Sequence, residues 1–216
     1  MAEKDDWQKQ EKRVDTALDY WIDFLGLVDG KKNPIAASCK KCLLCIIRLI
    51  SWVESQHGTA GANQPARDPM QSGNPGDIWW KELTGQPTDS VDRIVTGAGK
   101  KNYDAPDVPG VVAKDPKAPK NVTPLPKDGH KDKSFGPEMS YFWGILLLLQ
   151  RLNQTPDGSK TYLLADCSWK HLVDAAVAYN GGGDAEYRNK INKAAKAIKC
   201  CDEIDEKDEK KEEKGK

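Results

Sequence analysis

A carboxylate closes the apolar run "LLCIIRLISWVES", where Glu54 stands at the end of a segment that otherwise reads as a buried helix. A carboxyl group partly shielded from water at such an end has its charged form disfavoured, so its pKa rises and it can keep a proton near neutrality. A group in that state can serve as a general acid. Cleavage of a glycosidic bond needs one, because the departing oxygen must receive a proton. The plainer reading of Glu54 is a solvated glutamate at a helix terminus. Two further carboxylates, Asp68 and Asp77, follow in an irregular, turn-rich stretch that could fold back over the helix end. A hydrolase with two carboxylates would use one of them to place a water. Each also has a local account, Asp68 as a turn residue before Pro69 and Asp77 as the N-cap of "IWWKEL".

Other chemistries are weaker. The chain lacks HExxH and GxSxG, and "GAGKKN" at Gly97 lacks the first glycine and the hydroxyl of a phosphate-binding loop. His57, His130 and His171 are dispersed. Cys39, Cys42 and Cys45 form CxxCxxC, with Cys167, Cys200 and Cys201 elsewhere. On a helix these three thiols lie along one stripe as buried apolar residues or disulfide partners. A zinc or iron–sulfur site is the alternative, but such ligands usually converge from loops. No metal and no cofactor is implied. Trp79 and Trp80 could stack on sugar rings, although adjacent helical residues diverge by about 100°, so one at most faces a cleft; burial of both in the core is the alternative.

The elements that must position these residues are helical. Val14, Leu18, Trp21, Ile22 and Leu25 give residues 7–28 a helical rhythm. Asn33-Pro34 reads as the cap and first turn of a second helix running to about Glu54, and "GDIWWKEL" as a short helix. Pro137 opens an apolar helix to about Leu152, and others follow near 168–179 and 184–199. Residues 97–133 hold six prolines and eight lysines with few large apolar residues, and read as a loop insertion dispensable to the core. The domain plan is an N-terminal helix over 1–33, a catalytic domain over 34–200 carrying that insertion, and a charged, disordered tail over 201–216. The class is mainly α.

Composition bounds the partners. The chain has 216 residues, 38% hydrophobic and 31% charged, and its 33 basic residues match its 33 acidic ones, which removes the electrostatic case for nucleic acid. The most apolar run, Tyr141–Leu149, falls short of the roughly 20 residues of a membrane span. The charged start "MAEKDDWQKQEKRVD" lacks a secretory apolar core, so the expectation is synthesis in the cytoplasm without a Sec signal.

Four stretches occur in order: "ISWVES", "DPMQSGNP", "SYFWGILLLLQRL" and "VAYNGGG". Together they resemble the lytic transglycosylase and goose-type lysozyme group of the lysozyme-like superfamily. In that group a helix ends in Glu-Ser, and a Met-Gln loop, a helix with a central glycine and an Ala-Tyr-Asn segment follow. The resemblance covers about residues 40–195. It implies a lysozyme-like helical domain, with Glu54 as catalytic acid and Asp68 or Asp77 as a water-placing partner. It implies substrate contacts from Ser55, Met70, Gln71, Tyr179 and Asn180. Asp68-Pro69 departs from the small apolar pair that precedes Met-Gln in the group.

The activity so implied is a muramidase on the MurNAc-β-1,4-GlcNAc bonds of peptidoglycan. It is either a transglycosylase, in which the substrate's own hydroxyl attacks, or a hydrolase. Its setting would be the periplasm or cell wall, reached by non-Sec export or lysis, as for a phage lysin or antibacterial effector with a cognate inhibitor or immunity protein as partner. A chitinase- or chitosanase-like hydrolase and a non-catalytic wall-binding protein are the alternatives.

Overall fold

The computed structural model describes residues 2–28, 33–59, 66–86, 94–95, 102–103, 107–152, 167–181 and 183–198. Among them seven α-helices carry the architecture: α1 (Ala2–Leu25), α2 (Ala37–Ser55), α3 (Ile78–Leu83), α4 (Asp107–Val112), α5 (Pro137–Leu152), α6 (Trp169–Tyr179) and α7 (Tyr187–Ile198). A two-residue antiparallel pair, β1 (Ile94–Val95) with β2 (Asn102–Tyr103), sets Ile94 opposite Tyr103. The chain is mainly helical. The tail over 201–216, Cys200 and Cys201 lie outside the described residues.

The centre is α5. Its residues from Met139 to Gln150 are buried on every face, as expected of a helix that is apolar all round. Each fully buried leucine there is worth about 1.5–3 kcal/mol. On one side α1 packs with Val14, Leu18, Trp21 and Leu25, residues a helix aligns on one stripe. The Trp21 ring lies 4.5 Å from Phe142, and its indole N–H donates to the Phe142 carbonyl at 2.6 Å. On another side α6 packs on α5, and α2 is held among α1, α6 and α7. The N-terminal helix therefore belongs to the same core as the rest. Among the described residues, no helix is long and apolar enough to cross a membrane.

Two local expectations change. Asn33-Pro34 does not open α2. Pro34 forms an isolated antiparallel bridge with Val28, which holds that backbone extended, and α2 begins at Ala37 behind an Ala36 cap that has no side-chain hydrogen bond. Nor is the proline-rich stretch peripheral. It contains α4 and a 3₁₀ turn, Gly129–Lys131, and buries Val108, Val112 and Val122. Proline offers no N–H, but carbonyls in such a segment remain free to accept. Here Val122 and Pro126 accept the indole N–H groups of Trp143 and Trp80 at 2.9 and 3.1 Å, and Tyr20 donates to Asp115 at 3.0 Å. Trp79 and Trp80 are both core residues, 4% and 0% exposed.

Two of the three cysteines on the α2 stripe are in disulfides. Cys39 is disulfide-bonded to Cys167, with their Cα atoms 5.6 Å apart, and Cys45 is also disulfide-bonded.

Candidate active site

Glu54 sits in the last turn of α2, half-buried. The helix ends abruptly behind it. Gln56 and His57 take left-handed φ values of 49° and 58°, and their N–H groups return to the Trp52 and Ser51 carbonyls at 2.8 and 3.1 Å, a Schellman-type stop. Left-handed backbone at non-glycine residues costs roughly 1 kcal/mol or more each. Packing holds it: His57 is buried between the rings of Trp7 and Trp52, with Nδ1 3.0 Å from Ser51 Oγ. Ser51 Oγ is in turn 2.8 Å from the Tyr141 hydroxyl on α5.

Three elements surround the Glu54 carboxyl. Burial raises its pKa above the ordinary carboxylate range. Tyr187 from the start of α7 and Asn180 from the cap of α6 interact with it and pull the other way, while the charges of Asp68 and Asp184 add to the rise. Burial wins. The Tyr187 hydroxyl lies against the carboxyl but is itself buried without a well-formed hydrogen bond among the described residues.

The loop after α2 is pinned under this site. Ser55, 1% exposed, donates to the Pro69 carbonyl at 2.7 Å and accepts from the Gly58 N–H at 2.8 Å. Its hydroxyl therefore locks the loop to the helix end instead of facing a sugar. Asp68 is fully buried. Its Oδ1 accepts from Ser140 Oγ at 2.6 Å and the Ser72 N–H at 3.0 Å; its Oδ2 accepts from the Gly73 N–H at 3.0 Å and lies 2.8 Å from His130 Nδ1. Four partners fill a carboxylate's acceptor capacity. Asp68 thus fastens the Met-Gln loop to α5 and to the proline-rich segment, and no lone pair is left to orient a water. Asp77 is exposed at the start of α3. It caps nothing through its side chain and accepts from Asn74 Nδ2 at 3.2 Å.

Met70, Gly144 and Tyr179 meet. The Tyr179 hydroxyl donates to the Met70 carbonyl at 2.7 Å, and the Met70 N–H donates to Ser140 Oγ at 2.9 Å. A Cβ on Gly144 would lie 2.8 Å from Met70 Cβ and 3.0 Å from the Tyr179 hydroxyl, so only glycine lets the loop and α6 close on α5 there. Met70 is 0% exposed and Tyr179 9%. Both are scaffold to the site, not open walls of a cleft. Gln71, at φ 53°, is half-buried, and its side chain donates to the Asp68 carbonyl at 2.6 Å. Burial, then the charges of Glu54, Asp68 and Asp77, push the Tyr179 phenol well above its ordinary range.

Sequence reasoning missed Tyr187, His130 and Ser140. Each acts through a long-range contact, and no local spacing marks it; an aromatic residue opening a helix soon after the glycine run was the one available hint. A separate cavity of about 350 Å³, lined by Lys12, Arg13, Val122 and Phe142 among others, lies between α1, the proline-rich segment and α5, and Glu54 does not line it. Compared with protein-family models, characterised proteins and solved structures, the chain matches none.

Proposed function

We propose that this protein is a lysozyme-like muramidase that cleaves peptidoglycan glycan strands with Glu54 as general acid. The observation that carries the reading is the half-buried Glu54 carboxyl, raised by burial and met by Asn180 and Tyr187. Protonated Glu54 gives its proton to the oxygen between the sugars as the C1–O bond breaks. The carboxylate left behind is favoured by Asn180 and Tyr187, the two groups that pull its pKa down. It then takes the proton of the incoming nucleophile.

That nucleophile is the substrate's own hydroxyl, which makes the reaction a transglycosylation leaving a 1,6-anhydro sugar. What supports this choice is that, of the two carboxylates expected to place a water, Asp68 has its oxygens occupied by four partners and Asp77, exposed just before α3, accepts from Asn74. Peptidoglycan as substrate rests on the four-motif resemblance, and action in the periplasm or wall follows from that substrate.

Digestion of purified peptidoglycan followed by mass spectrometry tests the reading. Anhydro muropeptides, lighter by one water (about 18 Da) than hydrolytic products, are expected from wild type and none from Glu54→Gln. Reducing-end products alone, lost on Asp77→Asn, would make the enzyme a hydrolase. Release of chitin oligomers in place of muropeptides would move the substrate.

A further inference from the structure

We propose that Asp184 is a positioning residue for the Glu54 site, an inference that rests on the reading of Glu54 as the working acid. Its backbone N–H fixes which end of the Asn180 amide faces the Glu54 carboxyl, and its side chain holds that N–H in place.

A carboxamide has one end that accepts and one that donates. The two are nearly equal in shape, so hydrogen bonds, not packing, choose between them. Asn180 is the C-cap of α6, and its Oδ1 accepts from the Asp184 N–H at 3.1 Å. With that oxygen engaged, Nδ2 is the end left for Glu54. Asn180 accordingly lowers the Glu54 pKa, as a donor to a carboxylate does. Reversed, the amide would turn its oxygen to Glu54. An oxygen accepts only from the protonated acid, so the same residue would then oppose release of the proton. The Asp184 N–H thus decides whether Asn180 helps or resists Glu54 as it ionises.

Asp184 is held on both sides of its own peptide. Its Oδ1 accepts from the Glu186 N–H at 2.9 Å, its Oδ2 from Lys190 Nζ at 2.6 Å, and its carbonyl from the Tyr187 N–H at 3.1 Å. Lys190, then the Glu186 N–H, hold the Asp184 carboxyl below its ordinary range. The place of α7 does not hang on these bonds alone. Arg188 pairs with Asp174 of α6 at 2.6 Å, and Tyr187, Ile191 and Ala194 are buried. Substitution of Asp184 should therefore reach the Asn180 amide and leave the helix where it is. The charge of Asp184 also raises the Glu54 pKa, as that of Asp68 does, and Tyr179, Tyr187 and Lys190 interact with the same carboxyl. Losing the charge and freeing the amide act in opposite directions, so variants must be compared at equal charge.

The experiment uses the full chain with Asp184→Asn, Asp184→Ala and Asp184→Pro, all of which lack the charge. Asparagine keeps a side-chain acceptor for the Glu186 N–H, alanine removes it, and proline removes the 184 N–H as well. Three readouts are followed: helical circular dichroism, the Glu54 titration by carbon NMR assigned with Glu54→Gln, and the Asn180 side-chain NH₂ resonances. In wild type the NH₂ resonances are expected to move with the Glu54 titration, and Glu54→Gln to abolish that movement. Glu54 is expected to titrate highest in the proline variant, lower in alanine and lowest in asparagine. The limb of the pH–rate profile on purified peptidoglycan should move in the same order, with clearing about tenfold slower in proline than in asparagine. A merely structural role for Asp184 would lower the rate without moving that limb. Equal Glu54 titrations in the asparagine and proline variants would overturn the proposal, as would wild-type NH₂ resonances that ignore Glu54. Should the proline variant lose its helical signal, the alanine and asparagine variants and the wild-type NH₂ titration decide. If wild type clears no peptidoglycan, the muramidase reading fails, while the NMR titrations still report whether Asp184 orients the amide.

Discussion

The end of α2 and the loop that follows it both withdraw a carboxylate from water, and they do so in opposite ways. Glu54 is half-buried, with Asn180 and Tyr187 as its side-chain partners, and burial outweighs them. Asp68 is fully buried, with two hydroxyl or ring donors and two backbone N–H groups around it. Burial that outruns hydrogen bonding stores a proton that can be given away; burial matched by donors makes an anchor. The proposed chemistry and the anchoring of the loop thus fall to two residues close together in the chain.

The comparison is open to attack at four points, the largest effect first. Glu54→Gln should lower turnover by about 10²–10⁴-fold, the usual worth of a general acid, with the fold intact. It should also stabilise the protein. The folded-state pKa of Glu54 lies above its unfolded value, so the folded state binds more protons in the window between them, and stability falls as pH rises through that window. The glutamine variant should therefore melt higher than wild type above the window and converge with it at acid pH, as a pH series of melting curves would show.

Asp68→Asn should do the reverse. An amide cannot accept from all four partners, and a lost bond to a charged acceptor costs about 1.5–3 kcal/mol. For a chain of this size that lowers Tm by roughly 3–12 °C, while the products of digestion stay unchanged. An Asp68→Asn protein with wild-type melting and no activity would make Asp68 a working base and erase the distinction.

Gly144→Ala probes the junction between loop and helices. Overpacking against Met70 and Tyr179 costs about 1–3 kcal/mol, less the roughly 1 kcal/mol that alanine gains over glycine in a helix. A small net drop in Tm, larger than for alanine at an exposed α7 position, is expected. The smallest effect belongs to Tyr187→Phe. Tyr187 favours the charged form of Glu54, so its removal should raise the Glu54 pKa further and move that limb of the pH–rate profile to higher pH. The change at the optimum should stay below about tenfold.

Much of this organisation is readable along the chain. The periodicity of Val14, Leu18, Trp21 and Leu25, the apolar run after Pro137 and the glycines after Asn180 mark α1, α5 and the end of α6, because helix burial repeats every three to four residues. The order of Glu54-Ser55, Met70-Gln71, Gly144 and Tyr179-Asn180 marks residues that the fold gathers around α5. The roles within that group were less legible. Ser55, Met70 and Tyr179 carry the types that the resemblance assigns to substrate contacts, yet all three are buried.

The proline-rich segment shows why. Its composition disfavours long helix or central strand, a local matter of fixed φ and missing N–H groups, and its described residues hold α4, β2 and a 3₁₀ turn. Its integration could not be read locally, because it depends on carbonyls meeting indoles from Trp80 and Trp143 and on Gly129 passing where a Cβ would overlap the Gly73 carbonyl. The same division holds for the two acids. Side-chain type and helix-end position made Glu54 and Asp68 candidates, since both are properties of neighbouring residues. How each carboxylate is held depended on which partners arrived from distant elements, His130, Ser140, Asn180 and Tyr187 among them, and those partners meet it only once the chain has packed.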